Sequence, residues 1–171
     1  TGKTIRGEAT KQVDLELLRR HSGGLIALSA CLAGEIPRRL MDDDYAGAKE
    51  KALELSEIFG PEHFYLELQD HGIAEQTRVN QGILRLARET GLPLVATNDA
   101  HYLTEEDADL QDVLMCIQMG KTVDDPNRMR FETREFYLKS EAQMRALFPQ
   151  APEAVENTAK IAERCRVEFE F

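Results

Sequence analysis

The 171-residue chain sets 21 Lys and Arg against 31 Asp and Glu, a formal net charge of −10, with 42% hydrophobic and 30% charged residues. That is globular composition, not disordered or fibrous, and the length suits one domain able to bury its own core. The acidic balance argues against a surface built to wrap DNA phosphates, and no apolar run approaches the ~20 residues that span a bilayer.

No basic-then-apolar leader opens the chain. Cys31, Cys116 and Cys165 are odd in number, widely spaced and without a CxxC pair, so a reduced, cytoplasmic setting without disulfides is expected. The chain begins with Thr1 rather than Met, which suggests a piece of something longer. Residues 1–12 are polar and lack an apolar period, and read as an irregular lead-in.

From there a strand–helix rhythm sets in. Leu25 to Ala30 follows Gly23-Gly24 and reads as a buried strand. Ala46 to Phe59 reads as a helix, with Ala48, Ala52, Leu55 and Phe59 spaced by three and four, stopped by Gly60-Pro61. Phe64 to Leu68 is a second strand, rich in aromatic residues. Gln76 to Glu89 is a second helix, with Val79, Ile83, Leu86 and Ala87 on one stripe and Gly91 beyond its end. Leu94 to Thr97 is a third strand.

Thr104 is expected to cap a helix that runs to about Met119, with Glu105, Glu106 and Asp107 in its first turn, where the dipole favours anions. Asp124 to Arg130 is a polar loop, and Phe136 to Lys139 a short strand. Ser140 is expected to cap a helix over Glu141 to Leu147, and Pro152 to open a last helix to about Cys165. Val167 to Phe171 alternates polar and apolar, as an edge strand would. The resulting class is α/β, mainly parallel strands with covering helices, as an open sheet or part of a (βα) barrel. The domain would run over 13–150, with 151–171 leading elsewhere.

In parallel α/β folds the chemistry lies at the carboxyl ends of the strands. After the first strand comes Cys31; after the second Glu67, Gln69, Asp70 and His71; after the third Asn98, Asp99 and His101. Residues two apart in an extended segment point to the same side, so Asp99 and His101 would offer a carboxylate and an imidazole together. That pairing suits zinc or manganese. The alternative is that Asp99 caps a turn and His101 opens the next loop. A cysteine such as Cys31, after an apolar run, is more often a small core residue than a ligand. Cys116 and Cys165 are expected to pack on helices, His63 to lie in a loop and His21 at the surface, and Glu105 to Asp112 to form a solvated, capping face. Arg128, Arg130, Arg134 and Lys139 form a weakly basic cluster that could touch nucleic acid or another domain, but Glu132 and Glu135 dilute it and the non-functional reading is preferred. No P-loop, GxGxxG or GxSxG motif is present.

Several blocks in order carry a resemblance: GLIALSACLAGEIPRRL, FYLELQDHG, GLPLVATNDAHYL, DDPNRMRF, FYLKSEAQMRALF and NTAKIAERC. From about Val13 on, the chain resembles the later part of the PHP (polymerase and histidinol phosphatase) domain of bacterial DNA polymerase III alpha subunits, while residues 1–12 fall outside the resemblance. It implies a distorted (βα)7 barrel whose metal cluster supports phosphoester hydrolysis, including 3′–5′ exonuclease action, in members that retain it. Cys31 matches the family's cysteine ligand and Asp99 and His101 its closing D-x-H pair, implying Zn²⁺ or Mn²⁺. Glu67 and His71 match a recurrent block and could line the site. Mg²⁺ would serve the parent polymerase, whose catalytic aspartates are not found in this chain.

The family's early ligands come from an upstream H-x-H segment not found before Cys31, so the chain reads as part of a DNA-synthesising subunit, weak in metal binding and inactive alone. The implied partners are the rest of that subunit, DNA through it, and a separate proofreading exonuclease subunit, with no membrane. The rival readings are a stand-alone PHP phosphoesterase acting on a small phosphate monoester, and a structural or docking module with a vestigial site.

Overall fold

The computed structural model describes residues 13–170 and, before them, two short strands, β1 (Thr4–Ile5) and β2 (Glu8–Ala9), paired antiparallel. The opening stretch, expected to be irregular, thus holds a β pair; its other residues lie outside the described ones, as does Phe171. Then follow α1 (Leu15–His21), β3 (Ala27–Leu28), α2 (Glu35–Met41), α3 (Tyr45–Phe59), β4 (Phe64–Leu68), α4 (Ala74–Thr90) and β5 (Leu94–Ala96). A 3₁₀ turn (Glu105–Asp107) leads into α5 (Ala108–Met119), and α6 (Glu141–Leu147) and α7 (Pro152–Arg164) complete the order.

β3, β4 and β5 form one parallel sheet in that order, Ala27 pairing with Phe64 and Leu66 with Leu94. Every residue of β4 and of β5 is buried, as in parallel strands covered on both faces; Glu67 is the one charged residue among them. The cover comes from α3 and α4, the crossovers, and from α7 against β5. Phe64, Leu66, Leu68, Ile83, Leu86 and Phe148 form the centre of the core. Each such side chain contributes about 1.5–3 kcal/mol by leaving water.

The sheet and its covering helices bear out the α/β reading of mainly parallel strands with helical cover. Several details depart from expectation. The first strand shrinks to Ala27–Leu28, because Ala30 takes the left-handed backbone (φ 70°) and breaks the extended run. α1 was not foreseen; it is capped by Asp14, which accepts from the Leu17 N–H at 2.8 Å, and buries no residue. α2 was also missed. Pro37 lies in its first turn, where no backbone donor is lost. The cap at Thr104 forms a reciprocal box with Asp107, but the first turn is 3₁₀. The strand expected over Phe136 to Lys139 reduces to one parallel bridge, Tyr137 to Tyr102. Residues 165–170 hold no strand, and Cys165 is exposed, not packed.

Candidate functional site at the strand carboxyl ends

The three strand ends are tied together by one buried carboxylate. Glu67, near the end of β4, accepts from the Ala30 backbone N–H at 3.0 Å, from the Gln69 amide at 3.0 Å, and from the Thr97 hydroxyl in a short hydrogen bond. Its own N–H donates to the Ser29 hydroxyl at 2.8 Å. The left-handed turn at Ala30 aims its N–H at Glu67, and the bond offsets the roughly 1 kcal/mol such a backbone costs a non-glycine residue. Cys31 shares a small pocket with Glu67 and Gln69 and is exposed, not a core residue.

His71 is almost wholly buried, and both ring nitrogens are occupied. Nε2 lies 2.8 Å from the Asn98 carbonyl oxygen and Nδ1 2.8 Å from the Gln76 amide nitrogen. The His71 backbone N–H donates to the Gln76 carbonyl oxygen at 2.7 Å, which turns the Gln76 NH₂ toward the ring. Only the neutral Nε2–H tautomer satisfies all three bonds. With both nitrogens engaged, His71 supports the site's frame and offers no free donor to an ion. Asn98 clamps the next segment, donating to the Tyr137 carbonyl at 2.7 Å and accepting from the Lys139 N–H at 3.2 Å.

Asp99 and His101 are brought together by a turn, not by an extended strand: Asp99 is left-handed (φ 48°) and His101 Nε2 lies 3.3 Å from its Oδ1. His101 leans against Phe131 and meets Phe136 edge-on, centroids 4.8 and 5.7 Å away. Both side chains remain partly open to solvent. An imidazole and a carboxylate are suitable metal donors, but a protein zinc site uses three or four. Among the described residues no group of three His, Cys, Asp or Glu side chains is placed to hold an ion. The structure thus brings two of the expected donors, Asp99 and His101, together and does not group Cys31 with them.

Beside the site, residues 128–134 are fixed to α5. Arg128 grips Asp112 through both nitrogens of its fork, one at 2.6 Å, and Arg134 does the same to Asp109 at 2.8 and 3.2 Å. The Arg128 bonds hold the Asp112 carboxyl below its ordinary range. Burial pushes the Tyr102 phenol up, while the Phe136 N–H pulls the other way. Lys139 is buried, bonds the Glu135 carbonyl and lies 4.1 Å over the Tyr137 ring. Two of these arginines and Lys139 are therefore structural, and Cys116 is buried as expected. Ser29 and Thr97, two of the partners of Glu67, were not singled out from the sequence, although each lies inside a strand that was.

The PHP domain family matches residues 3–71. The DNA polymerase III subunit alpha of Treponema pallidum is 47% identical over 156 residues, 91% of this chain and 13% of the relative. That of Thermus aquaticus is 46% identical over 161 residues (92% and 13%), and that of Mycobacterium tuberculosis 40% over 164 (94% and 14%). The chain is homologous to a segment of DNA polymerase III subunit alpha. It spans about one eighth of the length of these relatives, 13–14%. The PHP match starts at residue 3, so the opening stretch expected to lie outside the resemblance is part of it. Cys31, Glu67 and His71 fall within that match, whereas Asp99 and His101 lie beyond it, in the part covered by the alpha-subunit relatives. Among the described residues no helix is long and apolar enough to cross a membrane.

Proposed function

We propose that this chain is a segment of a replicative DNA polymerase alpha subunit, a nucleotidyltransferase that extends a primer on a DNA template, and that it forms part of the subunit's PHP domain. The observation that carries the reading is identity of 40–47% over more than 90% of the chain, to alpha subunits of distant bacteria. The polar rim fits such a domain. Asp99 and His101 would give one carboxylate and one imidazole to an ion whose further ligands come from parts of the subunit outside residues 1–171. Zn²⁺ or Mn²⁺ held there would supply Lewis acidity toward a phosphodiester. What this chain's residues do is position: Glu67 sets the strand ends and His71 with Asn98 sets the loop that bears the pair.

The product of the whole gene should extend a primed template with deoxynucleoside triphosphates and Mg²⁺. A gene product no longer than this chain, or a longer one without template-directed extension, would overturn the reading.

A further inference from the structure

α5 is apolar on two sides. The side that carries Asp109 and Asp112 is held by Arg134 and Arg128, and Met115 and Cys116 are buried. On the other side Leu110, Val113, Leu114 and Ile117 are 64%, 43%, 59% and 71% exposed. They stand at i, i+3, i+4 and i+7, which places all four within an arc of about 100°. An apolar stripe of this width on a helix normally faces a packing partner. Among the described elements its main neighbour is the 3₁₀ turn that leads into it, and that turn does not cover the stripe.

We infer that this stripe seats an apolar segment, rimmed by lysine or arginine, from the part of the same polypeptide that lies outside residues 1–171. The inference rests on the reading of the chain as part of an alpha subunit. Area argues for a tethered occupant. The stripe presents roughly 400 Å², the scale of the largest apolar patches on monomers, and half of the ~800 Å² that each partner of a stable free complex buries. Within one polypeptide the effective concentration reaches the millimolar range, and so small a contact holds. The relatives carry the matching segment as 13–14% of a single chain.

Charge argues for a basic rim on the occupant. α5 contains no Lys or Arg, and Glu105, Glu106 and Asp107 stand at its entry. A second copy would bring one chain of net charge −10 against another. Lysine or arginine on the incoming segment complements the acidic entry.

The test places cysteine at the stripe of the full-length gene product, as Ile117→Cys and separately Leu114→Cys, both conservative changes at exposed sites. Peptide-resolved mass spectrometry reads maleimide labelling at that residue, native against urea-unfolded. We expect roughly 100-fold slower labelling in the native protein, unchanged on dilution, and photo-crosslinks from position 117 to a basic peptide outside residues 1–171. Labelling within about threefold of the unfolded rate at both positions overturns the inference. Protection that disappears on dilution also overturns it, assigning the stripe to a second copy. A gene product no longer than this chain removes the underlying reading, and its mass reveals this before any labelling.

Discussion

His71 lies flat on Phe136, with ring centroids 4.0 Å apart and planes 9° from parallel. The stack joins the loop after β4 to the segment that follows α5, 65 positions further along the chain. Because His71 also bonds the Asn98 carbonyl and Gln76, one ring holds three segments in register. The carboxylate–imidazole pair of Asp99 and His101 sits on this support, not in a rigid strand.

Replacing that ring should loosen the whole end of the sheet. His71→Ala leaves the Asn98 carbonyl and the Gln76 amide without their buried partner and opens a cavity under Phe136. Together these should cost about 3 kcal/mol. Chemical denaturation would show a lower midpoint at unchanged slope; a loss below about 1 kcal/mol would mean that the ring is dispensable.

Glu67→Gln conserves shape and tests charge alone. Both carboxylate oxygens accept hydrogen bonds, one from Ala30 N–H and the other from Thr97 and Gln69. An amide NH₂ must face a donor whichever way it turns, at a cost of about 1–3 kcal/mol. Faster hydrogen exchange at Ala30, with little change at the α4 amides, is the expected signature. An unchanged rate at Ala30 would show that the carboxylate does not hold that turn.

The helix-linking charges predict an acid response. Lys49 and Arg85 hold Glu89 down to about 2, from an ordinary value of 4.5. A carboxylate depressed in the folded state contributes stability that is present in full above its unfolded value. That stability is lost as pH falls from about 4.5 toward 2. Thermal melts of Glu89→Gln should therefore show a shallower fall in Tm across that window than the parent, and the difference should shrink in high salt. Parallel curves for the two proteins would remove Glu89 from the acid response.

Arg128→Lys retains charge but loses the two-pronged grip on Asp112. Amides over 123–134 should exchange roughly tenfold faster while the sheet amides hold. The Asp112 carboxyl, kept low chiefly by that hydrogen bond, should rise toward its ordinary value in an NMR titration. No change in either readout would show the grip to be ornamental.

The sequence by itself determined the elements whose signals are local. The 3.6-residue stripe of α4, the aromatic-rich β4, the Gly91 stop and the caps at Thr104 and Ser140 were legible, because each depends on residues within one or two turns. α2 was not, since Pro37 reads as a break until its place in the first turn is known. The D-x-H spacing marked Asp99 and His101, yet the left-handed turn that sets them face to face depends on the pairing of 98–102 with 136–139. The roles of Glu67 and His71 were decided only by tertiary structure. Their partners lie 27 to 65 positions away, apart from nearby Gln69 and Gln76. Strand register decides which of those partners they meet, for a slip of one residue would turn Glu67 to the opposite face of the sheet.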